Sequence, residues 1–176
     1  KVNIFALGCL FYYVMSGGGH PFGETPSERE LNISKHHLDS LAGCPDPEAV
    51  DLIERMLNMD PEARPTCDQI LRHPWFWPND RKLAFLADVS DRLERAGDRR
   101  SPTHRHLESL RSVVFNGSDT WTVRVDRSLS DDLGRYRKYF GTSVQDLLRA
   151  MRNKRHHFQE LPEQVRLVIG DTPDAF

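Results

Sequence analysis

Val144, Leu147, Leu148, Met151 and Phe158 recur at the spacing of an α-helix, behind a Ser143 that reads as an N-cap with an acid, Asp146, in the first turn. A helix over 143–161 that turns those apolar residues toward a core drives its polar residues to the opposite face. That face carries Arg149, Arg152, Asn153 and His157. Asn153 and His157 lie one above the other, Arg152 is angularly adjacent, and Arg149 is one turn back. Cations, an amide and an imidazole within two helical turns make a candidate phosphodiester-cleaving site, because a phosphate can be held there beside a proton donor. The seven Lys or Arg from Arg135 to Arg155 (Arg135, Arg137, Lys138, Arg149, Arg152, Lys154, Arg155) meet a single acid, Asp146, and such a field favours polyanions.

Helical patterning extends over the whole chain and predicts an all-α fold. Residues 2–16 form an apolar helix in which Phe5, Leu7, Leu10, Phe11, Val14 and Met15 are too crowded for one stripe, so most of its circumference is expected to be buried. Gly17-Gly18-Gly19 and His20-Pro21-Phe22-Gly23 end it. A short polar helix follows over 26–33. An amphipathic helix then carries Ala49, Leu52, Ile53, Met56 and Leu57 and stops at Asp60-Pro61. The helix over 66–72 is closed by His73-Pro74-Trp75-Phe76-Trp77, an aromatic plug. Trp77-Pro78 is the natural boundary, and Leu83, Phe85, Leu86, Val89 and Leu93 begin a new helix almost at once. Further helices are expected over 104–115, 130–139, 143–161 and 162–169, with 121–125 a loop or extended segment.

At 176 residues and 38% apolar content the chain can build one or two real cores. Its formal net charge of −2 hides an asymmetry: residues 1–77 carry six Lys or Arg against eleven acids, residues 78–176 eighteen against fifteen. Cys9, Cys44 and Cys67 fit neither a disulfide framework nor a zinc site. His36-His37 and His104-Arg105-His106 lack metal-ligand partners and read as surface. No apolar run reaches the roughly 18 residues of a membrane span, so no membrane contact is expected. Lys1 opens straight into a helix without Met, and Asp171-Thr172-Pro173-Asp174 reads as a helix start, so the sequence is read as a fragment truncated at its C-terminus.

Asn3-Ile4-Phe5-Ala6-Leu7-Gly8-Cys9, His20-Pro21-Phe22-Gly23, Leu57 to Pro65 and His73 to Trp77 resemble the last helices of a protein-kinase C-lobe. Residues 78–176, above all Asp88-Val89-Ser90-Asp91-Arg92 and the run from Asp146 to Leu161, look like a kinase-extension nuclease domain. The pairing of the two resembles the inositol-requiring transmembrane kinase/endoribonuclease family of the unfolded-protein response. The implied domains are 1–77, the end of a kinase C-lobe, and 78–176, the nuclease. These 176 residues hold no Gly-rich phosphate loop, strand lysine, HRD-type loop or DFG-type metal site. Asn3 stands where kinases of this pattern carry an Asp, and an amide cannot supply the same charge-assisted bonds. Arg64 matches an arginine that pairs with a glutamate absent here, and is expected to be exposed or re-paired.

The resemblance implies that His157 is the general acid, Tyr139 the base or its assistant, and Arg152 and Asn153 the phosphate holders. The implied reaction is attack by an RNA 2′-hydroxyl on the adjacent phosphate, without metal or other cofactor. Lys154 and Arg155 read as RNA-backbone contacts, with Arg149 and His156 beside them. Neighbouring histidines point about 100° apart on a helix, so His156 does not share the face of Asn153. Tyr139 can also be read as a core aromatic, like Tyr136 and Phe140. The implied partners are stem-loop RNA and a second copy of the chain in a dimer or higher oligomer, with ATP or ADP and Mg in the kinase portion of the parent and a place on the cytosolic face of the endoplasmic reticulum membrane. Two other readings fit the layout: an oligoadenylate-dependent ribonuclease relative, which an upstream ankyrin array would mark, and a non-catalytic RNA-binding or dimerisation module.

Overall fold

The computed structural model describes residues 1–176 apart from 36, 39, 40, 171 and 173–176, and describes only the backbone of 136. The chain is helical with no strand among the described residues, and it divides into two compact units, Lys1–Trp77 and Pro78–Phe176. His36, the helix start expected at 171–176 (Thr172 apart) and the side chain of Tyr136 lie outside the described residues.

In the first unit α1 (Val2–Met15) packs on α3 (Pro47–Met56), Ile70 of α4 (Cys67–Leu71) joins their shared core, and α2 (Pro26–Ser34) lies between α1 and α3 in the chain. The approach is close because Gly8 lacks a Cβ: one placed there would sit 3.0 Å from Met56 Cβ and Leu57 Cδ2. Ala49, Leu52, Ile53, Met56 and Leu57 are all buried, as their spacing predicts. The expectation for α1 fails. Ile4, Gly8 and Tyr12, one line along the helix, are buried, whereas Val2, Leu10, Tyr13 and Val14 are exposed, because α3 covers a single stripe. Arg64 is re-paired and buried: it donates to the carbonyls of Asn58 at 2.6 Å and Lys1 at 3.2 Å, and stacks over Phe5. Trp75 of the aromatic plug packs against Phe11, and its indole donates to Asp46, the N-cap of α3.

The second unit is organised on α5 (Asn79–Ala96) and α9 (Val144–His156), its most extensive helix pairing. Its core includes Phe115, Trp121, Leu129, Leu133, Val144, Ala150, Phe158, Leu161, Val165 and Ile169. The helix expected over 104–115 starts earlier and breaks, as α6 (Pro102–Ser109) and α7 (Arg111–Val114), because Ser101 caps it with Pro102 at its first position. Trp121–Arg124 is a 3-10 turn rather than an extended segment. α8 also starts early (Arg127–Tyr136), capped by Asp126, and ends before Tyr139. α9 stops at His156, and a 3-10 turn, Phe158–Glu160, precedes α10 (Glu163–Ile169).

Two acids anchor the start of α9. Glu108 of α6 accepts from the Ser143 hydroxyl at 2.8 Å and from the backbone N–H groups of Val144 and Gln145 at 3.1 Å, donors that a helix start otherwise leaves unpaired. His104, expected at the surface, lies half-buried beside that carboxylate, at 4.0 Å. Asp146 is fully buried. It accepts from Arg149 Nη1 at 2.8 Å and from the backbone N–H of Phe140 at 2.8 Å, so it ties the segment carrying Tyr139 to α9. Phe140, expected in the core, is exposed: its N–H is fixed by Asp146 and its carbonyl by the Trp121 indole.

Burial acts to raise the Glu108 carboxyl, but the hydrogen bonds from Gln145, Ser143 and Val144 outweigh it and hold the group below its usual value of 4.5. A depressed carboxyl stabilises the fold above its unfolded value and loses that contribution as pH falls through the folded one. Glu108→Gln is therefore expected to cost about 1–2 kcal/mol at pH 7 in urea unfolding, with the gap to the unmodified chain narrowing below about pH 4.5. Asp146→Ala removes a buried carboxylate that ties the Phe140 segment to α9; a loss of about 3 kcal/mol is expected, measured by the same denaturation.

Candidate active site

The C-terminal turn of α9, the 3-10 turn after it and the segment after α8 enclose a cavity of about 370 Å³. Arg137, Tyr139, Asn153, Lys154, His157 and Glu160 line it, with Leu133 and Pro162 among the apolar walls. His157, Tyr139 and Asn153 are thus brought together at one opening, although Tyr139 stands 14 residues before Asn153.

His157 is the C-cap of α9 rather than an interior residue. Its N–H donates to the Asn153 carbonyl at 3.0 Å, and its backbone leaves the helix with φ −105° and ψ 22°. Phe158 and Leu161, both buried, hold the following turn in place, and that turn carries Glu160 to within 3.0 Å of His157 Nδ1. With Nδ1 so occupied, Nε2 is the nitrogen left for a ligand. His156 is exposed and does not line the cavity.

Tyr139 serves two ends. Its ring packs against the hydrophobic core under the Arg149 guanidinium, 5.7 Å from the ring centre, while its hydroxyl accepts a hydrogen bond from Asn153 Nδ2 at 2.6 Å. The ring thus packs against the core while the hydroxyl side of the residue lines the cavity.

The cations behave differently from the simple face expected. Arg149 pairs with Asp146 at 2.8 Å and Glu94 at 2.7 Å, and the Asp146 hydrogen bond first, then Glu94, holds its guanidinium more firmly protonated than usual. Arg152 grips Asp91 through Nε at 2.6 Å and through Nη2, lies 3.5 Å from Glu94, and donates from Nη1 to Asn153 Oδ1 at 3.0 Å. It is not among the residues lining the cavity, and it stands behind Asn153. Lys154, expected on the RNA backbone, is buried and paired with Asp132 of α8, which makes it part of the wall. Arg155 is half-buried, and Arg137 is the arginine that faces the cavity.

Asp91, Glu94 and Asp132 carried no role on sequence grounds, because their partners are distant in the chain, and Arg137 entered only as one of the seven cations of the basic field. Glu160 had a legible signal, the i,i+3 spacing from His157. Among the described residues no group of three His, Cys, Asp or Glu side chains is placed to hold a metal ion, and no helix is long and apolar enough to cross a membrane.

A model of the family described as Ribonuclease 2-5A matches residues 82–176, and one of the protein kinase domain matches residues 1–76. The Schizosaccharomyces pombe protein named "Sensor for unfolded proteins in the ER ire1" is 49% identical over 180 residues, covering 99% of this chain and 16% of that protein. The Caenorhabditis elegans serine/threonine-protein kinase/endoribonuclease ire-1 is 47% identical over 178 residues, with 99% and 18% covered. The human serine/threonine-protein kinase/endoribonuclease IRE2 is 43% identical over 186 residues, with 99% and 19% covered. The chain spans less than a fifth of the length of each of these three relatives. With that family's model matching more than half of its residues, the chain belongs to the Ribonuclease 2-5A family, its nuclease-family domain preceded by a protein kinase segment.

Proposed function

We propose that the second unit is an endoribonuclease that cleaves stem-loop RNA by internal transesterification. The observation that carries the reading is the shared cavity: an imidazole oriented through one nitrogen, a phenol held by an amide, and an arginine line one opening of about 370 Å³. In the reaction the 2′-oxygen of RNA attacks the adjacent phosphorus as its proton passes to a base that Tyr139 provides or assists. The bond from phosphorus to the 5′-oxygen breaks, and His157 Nε2 donates a proton to that leaving oxygen. The products are a 2′,3′-cyclic phosphate and a 5′-hydroxyl. Arg137 and the Asn153 amide are the groups placed to meet phosphate oxygens, and a guanidinium suits charge spread over them. No step calls on a metal ion.

In this reading the first unit is the end of a kinase whose other parts bind ATP or ADP with Mg, and the whole protein is a kinase/endoribonuclease of the unfolded-protein response at the cytosolic face of the endoplasmic reticulum membrane. The names of the relatives support its kinase/endoribonuclease and unfolded-protein parts. One small cavity offers few contacts for selecting an RNA, so loop shape and a second copy of the chain supply the specificity. The internal pairing of Arg149, Arg152 and Lys154 favours this reading over a basic face that merely binds RNA.

The test is cleavage of an end-labelled stem-loop RNA in EDTA at several chain concentrations. His157→Ala is expected to lower the rate by about 10²-fold or more. Cleavage that continues unchanged in that variant overturns the assignment, and RNA binding without cleavage by either chain turns the reading to a binding module. Arg137→Ala is expected to reduce kcat/KM on the order of tenfold while leaving helicity unchanged by circular dichroism.

A further inference from the structure

We infer that Asp91 is a positioning residue of this site: acting through Arg152 and Asn153, it sets which side of the Tyr139 hydroxyl faces the cavity. For its chemistry the inference rests on the nuclease reading above. Its geometry stands alone.

Arg152 is the centre of the network. Its Nε donates to Asp91 Oδ1 at 2.6 Å, its Nη2 pairs with the same oxygen, and its Nη1 donates to Asn153 Oδ1 at 3.0 Å. A guanidinium is a rigid planar fork that donates on every side and accepts on none. Once one edge of the fork is fixed on Asp91, the direction of Nη1 is fixed as well. The atom that Asn153 turns toward Nη1 has to be its oxygen, so its NH₂ is turned the other way, onto the Tyr139 hydroxyl at 2.6 Å.

The phenol oxygen accepts that hydrogen bond, which leaves its own O–H and its remaining lone pair to the cavity that Tyr139 lines. The opposite amide orientation would set two donors face to face at Arg152. It would also present an oxygen to Tyr139 and draw the phenolic O–H away from the cavity. Asp91 decides between the two because it holds the fork, and Glu94, 3.5 Å from Nη2, supports it from the same helix. Asp91, at 32% exposure, lies 61 residues before Arg152, so the link joins α5 to the end of α9.

The test uses the whole chain with Asp91→Ala, Asp91→Asn, Tyr139→Phe and the double variant Asp91→Ala/Tyr139→Phe, in two measurements. In ¹H–¹⁵N NMR, with Asn153→Ala to assign the side-chain amide, Asp91→Ala is expected to move the Asn153 amide pair and the Arg152 Nε–H. Asp91→Asn, which keeps an acceptor oxygen, is expected to restore much of both. In RNA cleavage Asp91→Ala is expected to lower kcat about tenfold with KM within about twofold, and to add less than about twofold once Tyr139 is already Phe. An Asn153 amide that does not respond to Asp91→Ala overturns the inference. So does an equal loss of kcat in both backgrounds, since a structural role would be additive. If the resonances respond as expected while no chain cleaves RNA, the nuclease reading is what fails and the positioning of Tyr139 stands.

Discussion

A carboxylate with no exposed surface, Asp146, is the constraint on which the second unit depends. Burying a charge is costly unless it is paired and hydrogen-bonded. Asp146 meets both conditions by drawing in Arg149 from one turn along its own helix and the backbone N–H of Phe140 from outside it. In a capping box this acid would reach back to the N-cap backbone. Here Ser143 and Glu108 satisfy the helix start between them, so the Asp146 side chain is free to clamp the segment that carries Tyr139. The Trp121 backbone and indole, bonded to the carbonyls of Gly141 and Phe140, hold the segment from its other side.

The same need for pairing turns a basic helix face into an ordered set of contacts. Three of its cations are met by acids of other elements, Arg149 and Arg152 by Glu94 and Asp91 of α5 and Lys154 by Asp132 of α8. A diffuse positive field is screened by salt and fixes no geometry. Planar, hydrogen-bonded pairs fix side-chain directions, and in this unit they hold Asn153 and the cavity wall. The polar lining of the cavity is correspondingly varied: one arginine, one imidazole, one amide and one phenol stand beside the Lys154–Asp132 pair and the Glu160 carboxylate.

The buried face of α3 and the start of α9 were legible in the sequence because both rest on local signals. The buried set of α3 and the Ser143 cap lie where periodicity and cap chemistry put them. Signals that depend on a partner were not legible. The apolar count of α1 implied burial all round, but burial needs a covering surface, and α3 supplies one stripe of it. Arg152 looked like a free phosphate holder because Asp91 is 61 residues away, a separation that leaves no periodic trace. The family resemblance placed Tyr139 in the site, whereas its spacing alone fitted a core aromatic equally well. The structure shows why: the ring and the hydroxyl answer to different neighbours.

Ending α9 at His156 matters as much as forming it. On a continuing helix His157 would be one more residue on the Asn153 face, free to choose among rotamers. Instead Pro162 confines Leu161 to an extended backbone, and Leu161 and Phe158 are buried, so the chain has to turn between them. The turn delivers Glu160 to His157 Nδ1 on the rim of the cavity that both residues line. The backbone of His157 is thereby held by the Asn153 carbonyl, which accepts from its main-chain N–H, and its imidazole by the Glu160 carboxylate. Asn153 thus anchors both partners of the proposed chemistry, His157 through its backbone and Tyr139 through its side chain. A displacement of this one residue would move acid and base together.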